Sequence, residues 1–388
     1  MVNYEYQQKI MKIKILFIIP SLNIAGAEKV CLNICDNLNF DNFDVYLISI
    51  SNIIPLWETV KNKDKINFYT LGESPKIGFP WFSIKAYRKL SRLVKSIKPN
   101  IVHSHLWGVK CIYLLSFLGI KQKPVYIATI HNSEFIYTSK KLSSRLFKSI
   151  ENFIYKLFRF HLVSISVAVD RMIRKRLCYN TITFIENGID TDLFIPNIKS
   201  NEYIEKDKNN FPVLIHVGRG SETKRQIDII KAVSILRKDY PNIKLLLLGR
   251  DNKMLFGDLV RSLDLVNNID FIPPNNEVYN YLQKADIGVF PSLFEGLSLA
   301  FAEMMSCGLP LVITDIPSLT EMTNYNEAAE IVPIKNPRAI ADKIKYLIDN
   351  PAVSKLKGKK AREIAVSKYS IHVMVRKYSD LYKSLFKD

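Results

Sequence analysis

A chain of 388 residues is long enough for two buried cores, at roughly 100 to 200 residues per domain. Its 48% hydrophobic and 24% charged residues exclude wholesale disorder and fibrous repeats. The longest apolar runs, such as Cys111 to Ile120, fall well short of the roughly 18 residues of a membrane span, which excludes a transmembrane helix.

The first predicted strand, Lys12 to Ile19, follows Met11, and residues 1–10 carry no fold signal. The apolar stretch Ile13 to Pro20 is too short for the core of a signal peptide, so no export is expected. Further strands are predicted at Val45 to Ile50, Ile101 to Ser104, Val125 to Ile130, Leu162 to Ser166 and Thr181 to Ile185. A second series follows at Val213 to Val217, Lys244 to Leu248, Ile269 to Ile272, Ile287 to Phe290 and Leu311 to Thr314. Helical patterns separate most of these strands, which implies βαβ units and parallel sheets covered on both faces. A polar, charge-rich stretch over 197–211 lacks apolar periodicity and reads as a linker. The expected organisation is an α/β fold with one Rossmann-like domain over 11–196, a second over 212–370, and a terminal helix over 371–388 packing back on the first. Ligands of open parallel sheets lie at the carboxyl ends of the strands, so two such sheets facing one another would line a cleft.

Cys31, Cys35, Cys111, Cys178 and Cys307 are odd in number and lack a CxxC pair, which argues for reduced thiols in a cytoplasmic protein. The net charge of +18 first suggests a polyanionic partner, nucleic acid or anionic lipid. Its distribution is uneven, with 28 Lys and Arg against 14 Asp and Glu in residues 1–200, and 17 against 20 in 201–350. Trp81 to Lys98 carries Lys85, Arg88, Lys89, Arg92, Lys95 and Lys98 beside a stripe of Leu90, Leu93, Val94 and Ile97. Lys140 to His161 repeats the pattern with Leu146, Ile150, Phe153, Ile154, Leu157 and Phe158. Both segments fit helices lying on an anionic membrane face; each also fits a core-facing stripe with a solvated charged face.

The most informative segment is FPSLFEGLSLAFAEMMSCGLPLVIT, Phe290 to Thr314. Seven residues separate Glu295 from Glu303, Gly296 would permit a tight turn, and Leu299 to Cys307 reads as a helix starting just beyond it. A helix start offers unpaired N–H groups to a phosphate, and the two carboxylates can accept hydrogen bonds from sugar hydroxyls. That combination suits a sugar nucleotide.

Here the chain resembles the family 4 (group 1) retaining glycosyltransferases of the GT-B fold, whose E-x7-E motif usually reads EGFG and then EAMACG. The loop Gly26-Ala27-Glu28, the run Thr129-Ile130-His131, the segment Asn187-Gly188-Ile189-Asp190 with Phe194, and Val217-Gly218-Arg219 followed by Lys224 also fall in the family's order. The resemblance covers about residues 12 to 370. Ser298 departs from it, standing where EGFG has its second glycine, as does Met304, which replaces an alanine.

The resemblance implies a retaining, metal-independent transfer. Arg219 and Lys224 would hold the donor diphosphate and stabilise the charge that grows as the glycosyl bond breaks. Glu295 would face the transferred sugar and Glu303 the ribose. Gly218, Gly296, Leu297, Ser298 and Leu299 would line the phosphates, Ile272 and Pro273 would grip the base through main-chain atoms, and Gly26 would approach the donor diphosphate or the acceptor from the first domain. His131 would lie near the reaction centre. No cofactor is implied beyond the nucleotide sugar, expected to be a UDP-sugar, and the acceptor would be a glycan or polyprenyl-linked molecule of surface polysaccharide assembly. The expected location is the cytoplasmic face of the membrane, with no nucleic acid bound.

Asp190-Thr191-Asp192 matches a DxD metal motif, but it lies inside the NG-x-D segment, where Asp190 reads as a loop-ordering residue. His103 and His105 share a strand face without a third ligand and read as structural. Weaker candidates are Asp286, Pro291 and Ser292. The alternatives are a nucleotide-sugar epimerase of the same fold and a basic nucleic-acid-binding protein, which would leave the neutral second half and the ordered motifs without a purpose.

Overall fold

The computed structural model describes residues 12–73, 83–105, 117, 123–131, 149, 152–177, 181–197, 211–275 and 277–387. The chain divides into two compact units, Met1–Asn187 with Ile371–Asp388, and Gly188–Ser370.

Unit 1 is built on seven strands: β1 (Ile13–Ile19), β2 (Phe43–Ser51), β3 (Ile66–Glu73), β4 (Ile101–His105), β5 (Val125–Ile130), β6 (His161–Ser164) and β7 (Ile182–Phe184). They lie in the order β3-β2-β1-β4-β5-β6-β7, every pair parallel. Ile15 to Ile19 are all buried, the unbroken apolar run expected of a parallel strand covered on both faces. Helix α1 (Gly26–Asn37) follows β1, and α2 (Ile84–Ile97) opens on Ser83, whose hydroxyl accepts from the Ala86 N–H at 3.2 Å. The α2 stripe turns inward: Ala86, Leu90, Val94 and Ile97 are buried, while its cations remain in solvent. Most of the stripe offered to a membrane from sequence is therefore used by the fold; Leu93 is half-buried, and Ile84 is exposed beside the cations. In the second basic segment, residues 140–148, 150 and 151 lie outside the described residues, including Leu146 and Ile150.

Unit 2 has six parallel strands: β8 (Val213–Val217), β9 (Lys244–Leu248), β10 (Ile269–Ile272), β11 (Ile287–Phe290), β12 (Leu311–Thr314) and β13 (Ala329–Val332). Their order is β10-β9-β8-β11-β12-β13. Helix α3 (Gln226–Leu236) follows β8, α4 (Leu299–Ser306) follows β11, and α5 (Pro351–Lys368) packs against α4. One core cluster joins Phe290, Phe301, Met304 and Met305; a second, with Ile229, Val233, Leu245 and Val289, lies around α3. Chain order reverses beside β1 in one sheet and beside β8 in the other, and such switch points open crevices at strand carboxyl ends.

The boundary differs from the sequence reading, which ended the first domain at residue 196. Residues 188–196 belong to unit 2: the Ile189 N–H donates to the Tyr369 carbonyl at 2.8 Å, and Arg362 donates to the carbonyls of Thr191 at 2.9 Å and Phe194 at 2.7 Å. A guanidinium spends its planar donors on backbone the hydropathy pattern could not see. Most of the proposed linker, 198–210, lies outside the described residues.

The last helix, α6 (Ile371–Lys387), belongs to unit 1. Tyr378 and Tyr382 are buried, and the Tyr382 ring meets Phe17 and Phe43 edge-on at 6.3 and 6.0 Å. No helix among the described residues is long and apolar enough to cross a membrane.

Candidate nucleotide-sugar site

The loop Gly218 to Arg225 leaves β8 and is held by its own backbone and two buried amides. The Gly218 N–H donates to the Leu248 carbonyl and the Gly220 N–H to the Arg250 carbonyl, both at 2.9 Å. Asn252 donates to the carbonyls of Gly218 and Gly249 at 3.1 and 3.2 Å, and Gln226 donates to the Arg219 carbonyl at 2.9 Å. Gly249 has to be a glycine: its φ is +143° and a Cβ there would meet the Gly218 oxygen at 2.2 Å. Arg225 closes the loop in the left-handed region, φ 55°, tied to buried Asp228 at 2.7 and 2.8 Å.

A second loop, Pro291 to Ser298, leaves β11 and joins the first where the Leu293 N–H donates to the Thr223 carbonyl at 2.8 Å. That junction brings Lys224 Nζ to 2.5 Å from Glu295 Oε1. The same oxygen accepts from Ser292 Oγ at 2.6 Å, and Thr314 Oγ1 fixes Ser292 through its carbonyl at 2.6 Å. The side chains of Lys224 and Glu295 are 23% and 8% exposed, so both charges have lost much of their hydration. The desolvation cost is offset by the ion pair and the extra hydroxyl donor. Lys224 also lies over the Phe290 ring at 5.0 Å.

Behind the pair, buried His216 shares its Nδ1 with the Val289 carbonyl at 2.9 Å. Burial lowers its pKa to about 4, the bond to Val289 opposing and the nearby Lys224 adding to the fall. Its Nε2 is buried without a partner among the described residues, 3.0 Å from where a Gly218 Cβ would stand. Gly218 is thus needed for room.

Helix α4 begins at Leu299 as predicted and ends at Ser306, Cys307 being its cap. Ser298 is extended, φ −83°, and its hydroxyl accepts from the Phe301 N–H at 3.4 Å. The replaced glycine therefore acts as an N-cap, and no left-handed conformation is required there. Gly296 is likewise absent from the positive-φ residues, so the turn is not of the kind that demands glycine. Glu303 is buried on α4, and Leu297 packs partly buried against the core. The Cys307 thiol is pushed up to about 12, first by burial and then by the Glu303 charge.

The structure joins Lys224, Glu295 and Ser292. Arg219 stands exposed on the same loop with no ion pair among the described residues. Ile272 ends β10 and Pro273 follows it, exposed, at the same carboxyl edge. Asp286 is corrected: it precedes β11, at the opposite edge, where its carboxylate accepts from the Val213 N–H at 2.8 Å. Pro291 is buried in the loop itself. Sequence reasoning missed Gln226, Asn252, His216 and Thr314, whose only signal is a polar residue next to a strand end.

In unit 1, Gly26 is the first residue of α1, whose N-cap Ala25 provides no side-chain acceptor. Glu28 in that first turn is buried, and burial raises its pKa against the lowering effect of its own backbone N–H. His131 follows β5, with Nε2 3.0 Å from Nδ1 of His105. His103 uses both ring nitrogens, with Tyr382 Oη at 2.7 Å and Thr129 Oγ1 at 2.8 Å; Thr129 Oγ1 in turn meets Tyr378 Oη at 2.9 Å. Burial lowers His131 and His103 each to about 3 and takes His105 well below its ordinary value. Asp190 Oδ1 accepts from the N–H groups of Asp192 and Leu193 at 3.1 and 3.0 Å. Among the described residues, no group of three or more His, Cys, Asp or Glu is placed to hold a metal. Cys31, Cys35 and Cys307 are buried free thiols; Cys111 and Cys178 lie outside the described residues.

Comparison with known proteins matches residues 24–193 to the model of Glycosyltransferase Family 4 and residues 198–364 to that of Glycosyl transferases group 1. The chain is 26% identical over 344 residues to the capsular polysaccharide biosynthesis glycosyltransferase CapH of Staphylococcus aureus, covering 87% of this chain and 91% of that one. It is 24% identical over 383 residues to the UDP-Gal:alpha-D-GlcNAc-diphosphoundecaprenol alpha-1,3-galactosyltransferase of Escherichia coli, covering 96% and 97%. Among solved structures, HepE of Anabaena in complex with UDP superposes with a TM-score of 0.76 at 16% identity, covering 96% of this chain and 100% of that one.

Proposed function

The chain belongs to the group 1 and family 4 glycosyltransferases, and on that premise we propose that it moves a sugar from UDP to a hydroxyl of a lipid-linked glycan with retention of configuration. The observation that carries the reading is the Lys224–Glu295 pair, set on two joined loops at the switch point of unit 2. A cation fixed beside a carboxylate suits a sugar diphosphate. Lys224, with the exposed Arg219, takes the phosphates, and Glu295 accepts hydrogen bonds from the sugar hydroxyls. UDP is supported by the UDP complex of HepE, and the lipid-linked acceptor by the undecaprenol-linked substrate in the name of the Escherichia coli relative.

As the bond from the sugar to the diphosphate breaks, negative charge builds on the leaving oxygens, and a preorganised ammonium stabilises that charge more than the ground state. We assign this role to Lys224 and Arg219 in place of a metal ion. Retention follows if the acceptor hydroxyl attacks from the face the diphosphate leaves, its proton passing to the departing phosphate oxygen. No separate carboxylate base is then needed, and Glu295 stays an acceptor of hydroxyl hydrogen bonds. His131 of unit 1 is assigned to a hydroxyl of the reacting sugars, and Gly26, at the start of α1, to the acceptor side.

We place the working site at the cytoplasmic face of a membrane. Lys85, Arg88, Lys89, Arg92, Lys95 and Lys98 form an exposed basic face along α2. Phe153 and Leu157, 62% and 48% exposed, stand near Lys156 and Arg159, and such a mixture suits anionic lipid headgroups.

The decisive test is a thermal-shift panel of UDP, GDP and ADP, followed by transfer from the matching sugar nucleotides with and without EDTA. UDP alone should raise Tm, EDTA should leave transfer unchanged, and the product anomer should match the donor. Stabilisation by GDP or ADP instead would overturn the nucleotide, loss of transfer in EDTA the metal independence, and an inverted anomer the mechanism. Sedimentation with anionic vesicles should fall as salt rises; salt-independent absence of binding would remove the membrane reading.

A further inference from the structure

Three histidines of unit 1, His103, His105 and His131, form a set that the fold places on one face. His103 and His105 are two apart on β4, so their side chains leave the same side of the sheet. Thr129, opposite His105 in the β4–β5 register, is followed two residues later by His131. The His103 and His105 rings lie 4.3 Å apart, those of His105 and His131 5.2 Å apart, and Phe17 of β1 packs against the first two at 5.3 and 6.3 Å.

The His105 imidazole is fully buried and, among the described residues, has one hydrogen-bond partner: its Nδ1 meets Nε2 of His131 at 3.0 Å, and its Nε2 is buried with none. The placement of protons follows from that asymmetry. A buried N–H with no acceptor is costlier and rarer than a lone pair with no donor, so the proton of neutral His105 sits on Nδ1 and leaves Nε2 bare. Nδ1–H then donates to Nε2 of His131. A neutral His131 whose Nε2 accepts a hydrogen bond carries its own proton on Nδ1. Protonating Nε2 as well would set two N–H groups against each other at 3.0 Å, or would force the His105 proton onto the unpartnered Nε2.

We infer that His105 is a positioning residue that locks His131 in the Nδ1–H tautomer, so that the His131 imidazole meets its ligand as a hydrogen-bond donor and is barred from acting as a base. The chemical class it selects is an oxygen acceptor, such as a sugar hydroxyl or a phosphate oxygen. The catalytic part of this inference rests on the proposed function, which gives His131 its place near the reacting sugars; the tautomer itself does not.

The test reads the proton directly. The full chain labelled with 15N in its histidine rings is examined at pH 7 by two-bond proton–nitrogen correlation, with His131→Gln assigning the signals. We expect a protonated Nδ1 and a bare Nε2 on His131, persistence of that pattern in His105→Asn, whose amide can donate from the same place, and its loss in His105→Leu. Transfer should follow, with kcat down about tenfold in His105→Leu, the worth of one hydrogen bond, and restored to within about threefold in His105→Asn. Nε2 protonation of His131 in the wild-type spectrum overturns the inference, and needs no variant to fold. Wild-type transfer by His131→Gln would instead remove the role of His131 while leaving the tautomer lock in place.

Discussion

The sheets of the two units wind alike around β1 and β8, yet their carboxyl edges carry opposite chemistry. At the ends of β4 and β5, His103 packs against Phe17, Tyr378 and Tyr382, His105 packs against Phe17 and His131, and burial lowers the pKa of all three imidazoles. At the ends of β8 and β11, the Lys224 ammonium faces the Glu295 carboxylate, which also accepts from a serine hydroxyl. Burial is the same force in both places. It disfavours the charged form of a group whose neighbours are uncharged, and an opposite charge close by favours that form. One edge is thereby suited to neutral hydroxyls, the other to a diphosphate.

The largest expected effect falls on the charged edge. Glu295→Ala should cut kcat/KM for transfer by about 10² to 10³, the usual cost of removing one preorganised polar group, with circular dichroism unchanged; turnover near wild type would dissolve the distinction between the edges. Replacing Arg219 and Lys224 together by alanine should weaken UDP binding by about 10² to 10⁴, at about 1.5 to 3 kcal/mol for each charged hydrogen bond. Unchanged calorimetric affinity would move the phosphates elsewhere. His131→Gln should leave that same affinity within about twofold, since a neutral ring gives up no charge–charge attraction; a loss matching the cationic double variant would erase the contrast.

Acid sharpens the comparison from the other side. Below about pH 6.5 the unfolded chain protonates its histidines, while folded unit 1 keeps His103 and His131 neutral down to about 3. Their contribution to stability is complete above pH 6.5 and is lost as the pH falls towards 3, at about 1.4 kcal/mol per histidine per pH unit. Unit 2 has one such group, His216, at about 4. Hydrogen exchange should therefore show unit 1 loosening first on acidification, and simultaneous loosening would count against it. The smallest effect is that of Ser292→Ala, which should cost about 1 kcal/mol of stability and raise the donor KM a few-fold, because Lys224 still holds Glu295; a kcat collapse in a kinetic assay would mean that Ser292 touches the substrate.

The legible parts of the sequence were those with continuous apolar runs. Strands β5 and β8 to β12 begin and end where their β-branched runs do. Strands β3 and β13 were not seen: Asn67, Thr70 and Gly72 interrupt the first, Glu330 the second, and each lies at a sheet edge where one side needs no apolar cover. Lys224 and Glu295 were legible as candidates through their motifs. Their pairing across 71 positions was not, because it depends on the Leu293–Thr223 backbone bond that joins the two loops. Gln226 and Asn252 were opaque for a further reason, since a buried polar side chain satisfied by backbone has the same composition as a surface one.

Tyr382 reaches His103 across 279 positions, and between the two lies the whole of unit 2. A ribosome making this protein releases every residue of the second sheet before it releases the helix that finishes the first. Until then His103 and Thr129 have no phenol to bind, and unit 1 waits, open on one flank, while unit 2 can already close. Synthesis order and assembly order are thus inverted, and a chain clipped just after Ser370 would leave the earlier-born half as the unfinished one.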